Sequence, residues 1–298
     1  MANERISISP TAAPALARLF SAAVIGEFAA KGHSRLASAI LKETGLSATI
    51  SPTTLLRDFY NQMYALLFTS YRNEYIYKNV IARKILLGVH SLNTTTMLTE
   101  FRSGNCKADV VMLNGTSTVY EIKSAFDSVE RLQRQVAAYR QLFDRINVIS
   151  AESQVDKVSA IVGDDIGLMV LTGRNTIRTV QEPASLKETV QPAEIFDSLR
   201  KSEYEQIIKT HFGAIPDTSN ARMYQACREL FCSLSPCAAH DAMVTALKKR
   251  GSNQRLKDFV AVVPESLTAV SLSCKLSVAE QVRFSALLNS SLEHCLAL

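Results

Sequence analysis

The amino-acid sequence predicts an α/β protein, a mixed central sheet wrapped by N- and C-terminal helices. Three observations carry that reading. Apolar residues recur three and four apart over the first ninety positions and again from Pro192 onward. Between about 96 and 123 the pattern changes to two-residue alternation rich in Thr, Val and Phe. The middle of the chain then orders its elements β-β-α-β-β. The 298 residues are 47% hydrophobic and 20% charged, with no repeat or low-complexity stretch, which suits an ordinary globular chain with a sizeable core. We expect three parts without flexible linkers: a helical region over 1–70, an α/β core over 71–182, and a helical region over 183–298 packed on that core.

Each element follows from local signals. "SPTAAPALARLFSAAVIGEF", "SRLASAILKET", "SPTTLLRDFYNQMYALLF" and "SYRNEYIYKNVIARKILLG" read as helices with Ser or Ser-Pro starts, and Gly45 and Gly88 read as stops. Strands are expected near 97–102, 107–112 and 117–123. "DSVERLQRQVAAYRQLFDR" has Asp127 three residues before Glu130, the spacing of a capping box, followed by an amphipathic stripe. "INVISA" and "IGLMVLTG" read as short buried strands and "TIRTVQE" as an edge strand. Turns are expected at "GAIPDTSN", "SLSPC", "KRGSN" and "VVPES" between the C-terminal helices.

A net charge of +5 and a pI near 8.9 permit a nucleic-acid partner without requiring one. No apolar run approaches the roughly 18 residues that cross a bilayer, and no secretion signal opens the chain, so a soluble, cytoplasmic protein is expected. Six cysteines in that setting read as reduced thiols. Cys227, Cys232, Cys237 and His240 lie close in sequence, but they lack a C-x2-C knuckle and sit within helical periodicity, so core cysteines are expected in preference to a zinc site. The five histidines show no triad spacing, and no phosphate-binding glycine loop is present.

The chemistry concentrates in "STVYEIKSAFDS". On a strand, Glu121 and Lys123 share one face and Tyr120 and Ile122 the other. The preceding strand, "KADVVML", carries Asp109. A two-residue Asn114-Gly115 turn would place Asp109 and Glu121 on opposite faces, whereas a three-residue loop from Leu113 to Gly115, pairing Met112 with Thr116, would set them diagonally on one face. The second register is expected. Two converging carboxylates repel unless a cation bridges them, and hard oxygen ligands select Mg²⁺ or Mn²⁺. Lys123 beside that ion could assist an attacking water or stabilise charge on a phosphate.

Asp109, eleven intervening residues, and Glu121-Ile122-Lys123 resemble the PD-(D/E)XK nuclease superfamily. "QVAAY" supplies Gln135 and Tyr139 in the Q-x-x-x-Y pattern of its RecB-like branch. The resemblance covers about 71 to 150, and Ala108 stands where the family name has Pro. It implies a restriction-endonuclease-like αβββαβ core and a Mg²⁺- or Mn²⁺-dependent nuclease acting on DNA. It also implies a further acid from the preceding helix, for which Glu74 is the candidate, on the stripe of Tyr77, Ile81 and Ile85; Glu100 is the rival. Gln135 and Tyr139 would support the site, Arg131 and Arg134 would meet phosphates, and Lys248, Lys249, Arg250, Arg255 and Lys257 form a second basic cluster. The alternative is a nucleic-acid-binding or regulatory protein that keeps the fold without cutting. The bland counterpart to the triplet is a solvated cross-strand salt bridge worth at most about 1 kcal/mol.

Overall fold

A computed structural model of the chain describes residues 7–251 and 254–296. It divides into two compact units, Met1–Gly88 with Asn253–Leu298, and Val89–Ser252. The sequence boundaries at 70/71 and 182/183 therefore fall elsewhere. The helix near 74–88 groups with the N-terminal helices, and the helices from 192 to 248 group with the sheet.

The first unit is helical: α1 (Ala13–Ala17), α2 (Ala22–Lys31), α3 (Arg35–Glu43), α4 (Leu56–Ser70) and α5 (Glu74–Ile81), the last running on into a π turn over Ala82–Leu86. The single helix expected over 9–28 is broken at Ser21, whose extended backbone starts α2 and whose Oγ accepts the Val24 N–H. Ser34 caps α3 in the same way, and Gly45 stops the chain beyond it at φ 71°. The four C-terminal helices of this unit (Gln254–Val262, Thr268–Ser273, Val278–Leu287 and Leu292–Cys295) close its core, where Phe28, Phe59, Tyr60 and Phe284 are fully buried. Fully buried Asn79 ties α5 to the segment before the second of them, donating to Glu265 O and accepting from the Ala269 N–H. Among the described residues no single helix is long and apolar enough to cross a membrane; α1 with its 3-10 extension and α2 pass only as a pair bent by 51°. Of "KRGSN", Ser252 and Asn253 lie outside the described residues.

The second unit holds one six-stranded sheet in the order of the chain: β1 (Thr96–Ser103), β2 (Cys106–Leu113), β3 (Ser117–Lys123), β4 (Arg145–Ala151), β5 (Gly167–Leu171) and β6 (Ile177–Gln181). β1, β2 and β3 pair antiparallel, β3, β4 and β5 parallel, and β6 antiparallel at the far edge. Each expected strand is present within two residues at either end. α6 (Leu132–Arg140) crosses from β3 to β4, and α7 (Val155–Ser159) from β4 to β5. α8 (Pro192–Ser198), α9 (Lys201–Phe212), α10 (Asn220–Cys232) and α11 (Pro236–Lys248) complete the unit. Leu98, Val111, Leu113, Val119, Ile146, Val148 and Leu168 on the sheet share one buried core with Leu132, Val136 and Tyr139 of α6 and with Ile195, Phe196, Phe231 and Met243 of the later helices. The mixed α/β architecture is thus as read from the sequence.

The expected capping box before α6 does not form. The helix starts at Leu132 without a side-chain cap, and the Asp127 carboxylate instead accepts the Ser124 N–H and hydroxyl at 2.8 and 2.6 Å. An Asx-type turn next to the strand end has taken the side chain that the helix was expected to use.

Candidate functional site

The β2–β3 hairpin turns through Asn114, Gly115 and Thr116, with Gly115 at φ 100° and the Asn114 N–H donating to Thr116 O. The loop has the expected three residues but lies one position later: Leu113 pairs with Ser117 and Met112 with Thr118. Continued by one position, this register sets Asp109 directly opposite Glu121 instead of diagonally. Regular pairing ends at Val110–Tyr120, and Asp109 Oδ2 accepts the Ile122 N–H at 2.8 Å, a side chain taking the place of the next ladder bond.

A second irregularity lies on the other side of Asp109. The β1–β2 register pairs Thr99 with Val110 and Phe101 with Ala108, leaving Glu100 opposite Asp109, and Glu100 has φ 54°. On β1, Leu98 and Phe101 pack into the same core, as Ala108 and Val111 do on β2. Residues three apart cannot share a face of a regular strand, so both strands change phase at the acidic pair. Carboxylate oxygens of Glu100 and Asp109 approach within 4.8 Å of one another. Like charges at that distance repel unless something cationic offsets them; Lys107 Nζ lies 3.5 Å from Glu100 Oε2 on the surface.

Glu121 is 1% exposed and Lys123 5%. A buried carboxylate needs donors, and three side chains supply them. Lys123 Nζ donates to Glu121 Oε1 at 2.8 Å, Gln135 Nε2 to the same oxygen at 2.6 Å, and the Tyr139 hydroxyl to Oε2 at 2.7 Å. Gln135 closes a ring by accepting from Lys123 Nζ at 3.0 Å. Positions 135 and 139 lie one helical turn apart, so α6 brings both over the strand. The Tyr139 oxygen also lies 2.8 Å from Lys107 O, and with one proton it divides its donation between the two acceptors. Burial, then the Glu121 charge, push its phenol well above the ordinary value, which makes it a fixed donor and not a base. The solvated salt bridge is therefore excluded: this pair is buried and networked.

A carboxylate offers about four acceptor positions, of which these contacts fill three. Glu100 and Asp109 offer only oxygen donors, which suit a hard divalent cation. Glu100, the rival candidate in the sequence, lies beside Asp109, and its signal was unreadable because alternation gave no hint of a left-handed residue. Glu74 does not occupy the buried stripe expected of it. It is half exposed at the start of α5, in the other unit, and is paired with Lys78 one turn on. Sequence reasoning also missed Ser150, which pairs with Lys123 across β3 and β4; it is fully buried, and its Oγ has no partner among the described residues.

The basic candidates separate by surroundings. Arg131 and Arg134 are exposed on and before α6. Arg250 is bound by both carboxylate oxygens of Glu203, at 2.6 and 2.5 Å, and its guanidinium lies 5.5 Å from the centre of the Phe101 ring, a packing role. Arg255 and Lys257 belong to the other unit. The cysteine group does not converge. Cys227 is buried beside Met223, Cys232 is exposed, and Cys237 faces Lys187 O. His240 is buried with Nε2 2.7 Å from Ser117 Oγ and Nδ1 3.3 Å from Asp241. This serine–histidine–aspartate chain has no access for a substrate, since Ser117 and His240 are both fully buried; it joins α11 to the start of β3.

The curated protein named "Protein cII" from Enterobacteria phage P4 is 25% identical over 165 residues, covering 53% of this chain and 61% of that protein. A solved structure described as "SPO1766 protein of unknown function" from Silicibacter pomeroyi is 18% identical, with a TM-score of 0.29 over 39% of this chain and 73% of the other. Residues 68–272 match the family described as "Bacteriophage P4 protein cII", and with well over half of its length matched, the chain belongs to that family.

Proposed function

We propose that the protein is a metal-dependent nuclease hydrolysing phosphodiester bonds of DNA, on a core of the restriction-endonuclease-like, PD-(D/E)XK kind. One observation carries the reading: Glu121, Lys123, Gln135 and Tyr139, chosen from sequence spacing, bond to one another around one strand end, and Asp109 accepts the Ile122 N–H between Glu121 and Lys123. Asp109, Glu121 and Glu100 would hold Mg²⁺ or Mn²⁺. Such an ion, when bound, lowers the pKa of coordinated water and neutralises charge on the scissile phosphate. The chain's own groups do the positioning. Ile122 N–H fixes Asp109, Tyr139 and Gln135 fix Glu121, and Gln135 also holds Lys123. An ammonium has three donors; two of Lys123's are engaged, and the third can meet a water or phosphate oxygen.

Purified protein incubated with plasmid and linear DNA plus Mg²⁺ or Mn²⁺ should cut, and Lys123→Ala should not. Equal cutting by both proteins, or none by either, rejects the assignment. The second reading is a nucleic-acid-binding or regulatory protein that retains the fold without cutting. It is favoured by the three side-chain donors already on the Glu121 carboxylate, a network that also serves as a purely structural lock. DNA binding that is indifferent to EDTA, without cleavage, supports it.

A further inference from the structure

Ser150 takes no part in the hydrogen-bond ring around Glu121, although it stands against it. The β3–β4 register pairs it with Lys123, and the β4–β5 register pairs it with Val170. Residues paired across a ladder, like residues two apart on a strand, project from one face of the sheet. The neighbours of Ser150 on its face are therefore Lys123, Val170 and, two positions back on β4, Val148. Val148 and Val170 are fully buried aliphatic side chains and offer a hydroxyl nothing to bond. Of the three, Lys123 alone is polar. Ser150 is itself fully buried, and its Oγ has no hydrogen-bond partner among the described residues. A buried hydroxyl left unbonded destabilises a fold, so alanine would serve the packing better. The Lys123 ammonium has three N–H donors, of which Glu121 Oε1 and Gln135 Oε1 take two. An uncommitted acceptor thus pairs in the ladder with the residue that holds an uncommitted donor.

We propose that Ser150 is a positioning residue that seats the Lys123 ammonium when a divalent cation occupies Glu121. In the ion-free protein that ammonium lies 2.8 Å from Glu121 Oε1. A divalent cation on the same carboxylate repels it, and a buried ammonium that loses one acceptor needs another. Gln135 Oε1 keeps its hold on Lys123. Ser150 Oγ, two positions farther along the ladder than the Glu121–Val148 pair, supplies the second acceptor. The inference rests on reading Asp109 and Glu121 as ligands in a metal-dependent phosphodiester site, and it adds the residue that keeps Lys123 in place once the ion is bound.

In EDTA, Ser150→Ala should be at least as stable as wild type by urea unfolding, because the hydroxyl it removes has no partner there. Calorimetric titration should show Mn²⁺ bound about tenfold more weakly by Ser150→Ala than by wild type, the loss expected when a residue behind a metal ligand is removed. In the Lys123→Met background the same substitution should leave Mn²⁺ affinity unchanged, since the group that Ser150 seats is gone. A residue that only fills space would change affinity in both backgrounds or in neither. Ser150→Cys keeps the volume with a weak acceptor, so it should weaken Mn²⁺ binding as Ser150→Ala does without opening a cavity. Equal Mn²⁺ affinity of wild type and Ser150→Ala, or an equal loss in the Lys123→Met background, overturns the seat alone. No Mn²⁺ uptake by wild type overturns the metal-site reading beneath it.

Discussion

Replacing Lys123 by Met keeps the length of the side chain and removes its charge. Nζ lies 2.8 Å from Glu121 Oε1 and 3.0 Å from Gln135 Oε1, and the two charged side chains are 6% and 2% exposed. Removing one member of a buried pair leaves an uncompensated charge and costs about 3–5 kcal/mol. Gln135 and Tyr139 still donate to Glu121, which places the expected loss near the lower end, about 3 kcal/mol. Glu121→Gln with Lys123→Met removes both charges, so the double variant should lose much less than the sum of the two single ones, a coupling of about 2 kcal/mol or more. Native-state hydrogen exchange at β3 and β4 amides measures this in the sheet unit itself. Mn²⁺ should stabilise Lys123→Met more than wild type, because a cation beside Glu121 replaces the lost ammonium. A loss within about 0.5 kcal/mol, or additive single variants, would refute the buried ion-pair network.

Glu100→Gly relieves a left-handed residue, so stability should hold or rise by up to about 1 kcal/mol while Mn²⁺ affinity falls; thermal unfolding beside a Mn²⁺ titration checks both. Arg250→Ala strips Glu203 of a two-point partner, both side chains being 16% exposed or less, and should cost about 3 kcal/mol by urea unfolding, with Arg250→Lys restoring only part. His240 is held below the ordinary histidine value first by burial, with the Asp241 hydrogen bond opposing. A depressed folded value means that the unfolded chain binds the proton first, so stability should begin to fall as pH drops below about 6.5. His240→Gln should flatten that part of a stability–pH curve, and an unchanged slope would contradict it.

Much of the sheet was legible because each strand carries its own short-range pattern: "KADVVML", "STVYEIK" and "INVISA" alternate or run apolar whatever surrounds them. The contact between Glu121 and Lys123 was legible for the same reason, since side chains two apart on a strand share a face. The hairpin register was off by one position because Leu113, Asn114 and Thr116 are all compatible with either loop, and the choice is made by packing of Leu113 into the core. The approach of Glu100 to Asp109 was not legible, because the phase change that brings it there arises from pairing between strands and not from any residue's own propensity. Asp127 was assigned to the helix when Ser124 had the stronger claim, a competition between two local hydrogen bonds that spacing alone does not resolve. The division into units was hidden because the helix over 74–81 and the helices after 253 are far apart in sequence and meet only through contacts such as Asn79 with Glu265.

The most direct test of the central claim is a calorimetric titration of Mn²⁺ into wild type and Asp109→Asn. Asparagine keeps an oxygen for the Ile122 N–H, so the hairpin survives while one negative ligand is lost. The account predicts saturable uptake by wild type and at least about tenfold weaker uptake by the variant. No uptake by wild type, or equal uptake by both proteins, would contradict it.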